Sequence, residues 1–139
     1  MPEGSTQGYT YVNGWVNTTR FDPSWAFGTG SVISGTEDLL VWIDALMSGT
    51  LLDQQRKTDM FTFVDIGAPG YGYGLGLEKQ QGEAIGHTGD VVYGGQAAMY
   101  RYQGWSFIVL INASPSNEGL NLFGSEYLMY KAMRALGIW

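Results

Sequence analysis

The sequence predicts an α+β protein: an antiparallel β-meander covered by helices. Three observations predict it. Segments 34–61 and 117–137 carry apolar residues at helical spacing, and they flank a stretch, 73–112, whose period is two. Within that stretch, Gln103-Gly104 is a two-residue link between apolar runs, a hairpin signal. The 139 residues suffice for one hydrophobic core and are too few for two, and no internal repeat divides them.

Taken in order, residues 1–33 are rich in Gly, Thr, Asn and aromatics with little period, and read as loop. A first helix has a capping box, Ser34 as N-cap with Glu37 three residues on. Leu39, Ile43 and Leu46 follow at helical spacing, Leu40 and Met47 stand beside them, and Gly49 stops the helix. A short second helix is expected over 53–61, then a turn-rich stretch over 65–72. In the strand expected at 73–77, Tyr73, Leu75 and Leu77 alternate with Gly74 and Gly76. One face is then apolar and the other bare, which implies close approach of another backbone. Strands follow at 96–102 and 105–112, the second apolar on both faces as a central, covered strand is. Leu120, Phe123, Tyr127 and Tyr130, with Met129, Met133 and Leu136, form a broad helical stripe that packs on the sheet and ends at Gly137.

Charge and composition exclude several functions. Seven basic residues stand against 13 acidic ones with no basic cluster, which argues against nucleic-acid binding. No apolar run is long enough to span a membrane; residues 107–111 are strand-sized. Neither a signal peptide nor a lipidation box is visible at the N-terminus. The absence of cysteine removes disulfides and thiolate metal sites. With one histidine and no clustered carboxylates, neither a metal nor another cofactor is expected.

That histidine opens the tripeptide His87-Thr88-Gly89, preceded by Glu83-Ala84-Ile85-Gly86 and followed by Asp90-Val91-Val92-Tyr93-Gly94-Gly95. An imidazole, a hydroxyl and a bare backbone side by side are what one wall of an acyl-transfer site uses. Strict alternation would put His87 and Thr88 on opposite faces, so both serve one site only where the strand twists or lies at a cleft edge. Asp90 has two readings, a turn residue or a carboxylate that filters substrates. Trp15, Trp25, Tyr71 and Tyr73 could form a sugar-stacking platform, but aromatics are 14% of the chain and scattered, so packing is the better reading. The glycine-rich stretch 28–35 lacks the Gly-Lys-Ser/Thr of a phosphate loop.

The tripeptide belongs to an ordered set of blocks. Phe27-Gly28-Thr29-Gly30-Ser31-Val32-Ile33-Ser34-Gly35-Thr36-Glu37-Asp38-Leu39-Leu40 enters a helix that ends at Leu46-Met47-Ser48-Gly49-Thr50-Leu51-Leu52. Tyr73-Gly74-Leu75-Gly76-Leu77, the His-Thr-Gly and Ile108-Val109-Leu110-Ile111-Asn112-Ala113-Ser114 follow. This set resembles the C-terminal part of the serine β-lactamase and penicillin-binding family. More narrowly it is similar to the branch of D-alanyl-D-alanine carboxypeptidases, D-amino-acid peptidases and β-lactamase-like esterases, where His-x-Gly often replaces Lys-Thr-Gly.

The resemblance covers residues 8–136 and implies a single partial domain, the C-terminal part of the β-lactamase/transpeptidase-like fold. It implies a hydrolase that attacks amide, ester or β-lactam carbonyls through an acyl-enzyme. His87 would take the lysine position, Thr88 would offer its hydroxyl to substrate, and Gly89 would keep the wall open. The main-chain N–H of Asp90 would be an oxyanion donor, worth about 3 to 4 kcal/mol of barrier in other serine hydrolases. The Asp90 carboxylate would repel substrates ending in a free carboxylate, which favours an ester or amide hydrolase over a carboxypeptidase.

The family's Ser-x-x-Lys nucleophile motif is absent here. Tyr11-Val12-Asn13 formally matches the Tyr-x-Asn motif but falls in the variable Gly-Tyr stretch before the glycine-rich loop. The expected partners are therefore a small peptide, ester or β-lactam substrate and a missing N-terminal catalytic half. The family setting is periplasmic or extracellular, with cytoplasmic esterases also known. The rival reading is a non-catalytic module that binds peptides or peptidoglycan, or that self-associates through an uncovered face.

Overall fold

A computed structural model of the chain describes residues 4–80, 82–91, 94–115 and 124–139. In chain order these form β1 (Tyr9–Tyr11), β2 (Trp15–Asn17), 3₁₀ turns over Pro23–Thr29, α1 (Thr36–Ser48), α2 (Gln54–Met60), β3 (Val64–Asp65), β4 (Gly72–Tyr73) and β5 (Glu78–Gln80). Next come β6 (Ala84–Val91), β7 (Gly95–Tyr102), β8 (Trp105–Ile111), β9 (Ala113–Pro115) and α3 (Ser125–Ala135). The main sheet has the order β3-β4-β5-β6-β7-β8 with every pair antiparallel, so the meander is realised strand by strand. Gln103 (φ 45°) and Gly104 (φ 85°) both adopt the left-handed conformation that a two-residue hairpin link requires.

Alternation along β7 decides which helix lies on which face. Ala98, Tyr100 and Tyr102 point one way and form a core with Ala84, Phe107 and the fully buried Met129 and Met133 of α3. Arg101 points the other way and donates from Nη1 to Asp44 Oδ1 of α1 at 2.8 Å, while Ser106 Oγ donates to the same oxygen at 2.6 Å. The helix α1, with Ile43 and Leu46 buried, therefore covers the face opposite α3. The sheet lies between two helical layers, a standard way to bury both its faces.

Several expectations need correction. The first helix begins at Thr36 with Gly35 as N-cap and no side-chain cap, so Ser34 does not close a capping box. Residues 1–33 are not all loop, because Tyr9–Tyr11 pairs antiparallel with Trp15–Asn17 and parallel with Ala113–Pro115. A partner about a hundred residues away leaves no local period to read. The expected strand 73–77 stops at Tyr73: Gly76 turns the chain with φ 74°, and Glu78–Gln80 resumes pairing. The bare face there does meet backbone, since a Cβ on Gly74 would lie 2.4 Å from the Met60 carbonyl oxygen. The doubly apolar strand β8 is the edge of the sheet, not its centre; its apolar faces are explained by α1 and α3, which both pack on it. In α3 the stripe is narrower than expected, with Tyr127 and Leu136 exposed. Leu120, Phe123 and the expected helix start at 117 lie outside the described residues.

Other boundaries agree with their local signals. Asp53 caps α2 by accepting from the Arg56 N–H at 2.9 Å. Gly137 (φ 69°) ends α3, and the Ile138 N–H returns to the Met133 carbonyl at 3.1 Å.

At the middle of the sheet, Glu78, Gly86 and Tyr100 stand in one cross-strand row. A Cβ on Gly86 would lie 1.9 Å from the Met99 carbonyl oxygen and 2.7 Å from the Tyr100 Cα. With no side chain at Gly86, the Tyr100 phenol crosses β6 and donates to Glu78 Oε1 on β5. Gln80, 3% exposed, joins the same cluster: its Nε2 donates to the Tyr100 hydroxyl at 2.5 Å and to Glu126 Oε1 of α3 at 2.7 Å. The Tyr130 hydroxyl donates to Gln80 Oε1. Burial, then the neighbouring carboxylates, push both phenols well above the ordinary tyrosine range.

Two predictions follow from this row. Gly86→Ala should lower unfolding stability by about 3 kcal/mol in urea titration, since rigid backbone must move; Gly89→Ala, whose Cβ would meet nothing within 4 Å, should change it by less than about 0.5 kcal/mol. A tyrosine raised on folding holds its proton in the native state longer than in the unfolded one. Stability is thus full below the unfolded value of about 10 and falls above it, by about 1.4 kcal/mol per pH unit for Tyr100. Urea midpoints between pH 8 and 11 should show that decline, and Tyr100→Phe should remove the Tyr100 share of it and leave that of Tyr130; an unchanged slope in Tyr100→Phe would place its origin elsewhere.

Candidate active site

The strand β6 is paired on both sides only in its first half. On one side β7 accompanies it from Ile85 to Val91, whereas on the other β5 pairs only with Ala84, Ile85 and Gly86. From His87 onward β6 has no strand on that side among the described residues, so alternate main-chain amides point outward from an open edge. His87, Thr88, Gly89 and Asp90 are the residues of that open half. This is the cleft-edge condition under which neighbours on opposite faces of a strand can meet one ligand.

His87 is half-buried and its ring is fixed at both nitrogens. Nδ1 contacts the Thr88 carbonyl oxygen, and Nε2 lies 2.7 Å from the hydroxyl of Tyr73 on β4. A carbonyl only accepts, so Nδ1 carries a proton. In the neutral ring Nε2 then holds a lone pair, and Tyr73 donates to it. The two rings meet edge to face, with centroids 5.6 Å apart and planes at 84°. The sequence assigns Tyr73 to packing; its bond to His87 depends on the turn after Tyr73 and on β5 starting only at Glu78, opposite Gly86, neither of which the alternating pattern over 73–77 reveals.

Thr88 is half-buried, and Gly89 is exposed with open space where a side chain would stand. Asp90 lies within β6, which rules out the turn reading. Its Oδ1 accepts from Ser114 Oγ of β9 at 3.1 Å. Lys79, the cation on the neighbouring strand, is already paired with Glu83 at 2.6 Å. Tyr11 stacks edge to face on Trp15 at 5.5 Å and Asn13 turns the β1–β2 hairpin with φ 53°, so the formal Tyr-x-Asn match is a structural hairpin. Trp15 and Trp25 are 53% and 60% exposed, so they are not packed as expected, and Tyr73 is committed to His87. Two clefts of about 260 and 310 Å³ lie elsewhere, and His87 lines neither. The site is an open edge.

Comparison with known proteins bears on the family and the fold. The sequence profile of the Beta-lactamase family matches residues 2–122, most of the chain. The chain belongs to the beta-lactamase family. Two solved structures share the fold of this beta-lactamase family chain. One is the D-amino acid amidase of Ochrobactrum anthropi SV3, crystallised with D-phenylalanine: TM-score 0.66, 21% identity, 94% of this chain and 44% of that one. The other is a penicillin-binding protein from Bacillus halodurans: TM-score 0.70, 20% identity, 98% of this chain and 42% of that one. The chain thus spans less than half the length of either protein.

Because His87 is the only histidine, its tautomer can be read without assignment ambiguity. Long-range ¹H–¹⁵N correlation spectra of the neutral ring should show a protonated Nδ1 and an unprotonated Nε2, with the Nε2 signal moved by Tyr73→Phe. An Nε2–H tautomer would reverse the donor and acceptor assigned to this pair.

Proposed function

We propose that this chain forms the His-Thr-Gly wall of a serine hydrolase that cleaves amide, ester or β-lactam carbonyls through an acyl-enzyme. The nucleophile comes from a segment outside this sequence. One observation carries the reading: His87, Thr88, Gly89 and Asp90 occupy the half of β6 that has lost its neighbouring strand, with Tyr73 hydrogen-bonded to the imidazole. A substrate backbone can lie along such an edge, its main chain bonded to the free amides. A side chain at Gly89 would stand in its way.

In this mechanism the serine attacks the carbonyl, and the oxygen that becomes negative is met by an outward main-chain N–H, that of Asp90. The Thr88 hydroxyl orients the substrate. The imidazole and the Tyr73 phenol form one hydrogen-bonded, proton-carrying pair and ease the proton's passage between nucleophile and leaving group. Among the activities of the branch, amide or ester cleavage fits better than carboxypeptidase activity. The Asp90 carboxylate borders the wall, and Lys79, which could have clamped a terminal carboxylate, is neutralised by Glu83.

The missing segment also suits the surface. Val32, Val41 and Phe27 are 83%, 72% and 90% exposed, apolar side chains that a covering segment would bury. The same surface would suit self-association, and the experiment separates the two.

The coding sequence upstream of the Met1 codon should continue in frame through Ser-x-x-Lys and Tyr-x-Asn or Tyr-x-Ser. The protein so encoded should gain the mass of an acyl group on its serine from an activated ester. His87→Ala should lower its kcat/KM by about 10² to 10⁴-fold, within the range of general acid–base contributions. A substrate ending in an amide or ester should be turned over faster than its free-carboxylate counterpart. A stop codon close upstream, together with a 139-residue chain that elutes as an oligomer and binds peptide without turnover, would favour the self-associating binding module.

A further inference from the structure

The cleft of about 260 Å³ beside α3 shares no residue with the His87 edge; Tyr71, Tyr127, Tyr130, Lys131, Arg134 and Trp139 line it. Its wall is held in place. The Trp139 indole lies between Tyr102 and Tyr130, with ring centroids 5.1 and 5.0 Å away, and Gly82 leaves room behind it, where a Cβ would come within 3.0 Å of the indole. The Tyr130 hydroxyl is turned inward to Gln80, so the phenol presents its ring to the cleft.

Two cations stand together at the rim of this cleft, in a chain whose formal net charge is −6 and whose ion-paired cations among the described residues are Arg56, Lys79 and Arg101. Lys131 and Arg134, one helical turn apart on the cleft rim, have no ion-pair partner among the described residues. Lys131 leans over the Tyr127 ring at 5.4 Å, and among the described residues no acidic side chain lines the cleft. Aromatic walls with two unmatched cations at the mouth suit a flat ring carrying a carboxylate or phosphate. The rings supply stacking, Arg134 a planar fork for two oxygens, and Lys131 a second charge. The volume admits one or two fused rings and little more.

We propose that this cleft is a binding site for a small aromatic anion, separate in its residues from the hydrolytic edge. The probes are 2-naphthoate and its neutral analogue 2-naphthylmethanol, titrated into the 139-residue chain while ¹H–¹⁵N spectra are followed. The Trp139 indole signal is assigned with Trp139→Phe. Saturable shifts should centre on Trp139, Lys131 and Arg134, and naphthoate should bind at least about tenfold tighter than the alcohol at low salt.

The paired variant Lys131→Gln with Arg134→Gln, both exposed positions, should abolish that preference and leave the alcohol's affinity unchanged. Its native spectral dispersion guards against misfolding. Equal affinities for the two probes, no shift up to about 5 mM, shifts centred away from α3, or a preference that survives the paired variant would each overturn the proposal.

Discussion

Much of this molecule depends on one close approach, that of the β6 and β7 backbones at Gly86. No side chain fits there, because the Met99 carbonyl oxygen would stand 1.9 Å from a Cβ. The missing side chain is what lets Tyr100 reach over β6 to Glu78, in a row fixed by the register Glu78↔Gly86↔Tyr100. Gln80 and Glu126 join that contact, so β5, β7 and α3 are tied through a buried polar cluster around a bare position. Such a cluster is stabilising when its members are paired and costly when one is removed. The residue after Gly86 is His87. Beside Glu78, the first residue of β5 and held by this cluster, the open edge of β6 begins, so one constraint sets both the core and the position of the candidate site.

How much of this was legible in the sequence varies with how local the cause was. The hairpin at Gln103-Gly104 and the stop at Gly137 were readable, because each signal lies in the residues that make the turn. The capping box at Ser34 was a local signal that misled: Gly35 supplies the extended cap conformation one residue later, and the chain enters the helix without a side-chain bond. Alternation over 73–77 misled for another reason. Its glycines do mark backbone contact, but Gly76 takes a positive φ and turns the chain, so the period of two spans a turn and not a strand. In β8 the two apolar faces were correctly read as covered, yet cover by two helices and a central place in the sheet leave the same trace in sequence.

The site was legible as a tripeptide and illegible as a constellation. His87, Thr88, Gly89 and Asp90 are consecutive, so their residue types alone mark a candidate wall. Tyr73 stands 14 residues earlier and reaches the imidazole only through the turn and the short β5 between them. The family profile, by contrast, draws on block order over residues 2–122, which explains why it shows the family when three residues do not.

The N-terminal residues, which look like the least structured part of the sequence, fix the far end of that wall. Tyr9–Tyr11 pairs with Ala113–Pro115, and the buried Thr10 donates from Oγ1 to the Ser114 carbonyl at 3.2 Å. Ser114, 3% exposed, then donates its own hydroxyl to the Asp90 carboxylate. Gly94, just past β6, approaches the same segment so closely that a Cβ would lie 2.4 Å from Thr18 Oγ1 and 3.0 Å from the Tyr9 nitrogen. Strand β6 is therefore clamped at two points, by the Tyr100 cluster at Gly86 and by the β1–β9 pair at Asp90. Between the clamps lie His87, Thr88 and Gly89, unpaired on one side but held at both ends. An edge built this way can offer its amides to a ligand without fraying, because the entropy of ordering it has already been offset by contacts outside the site.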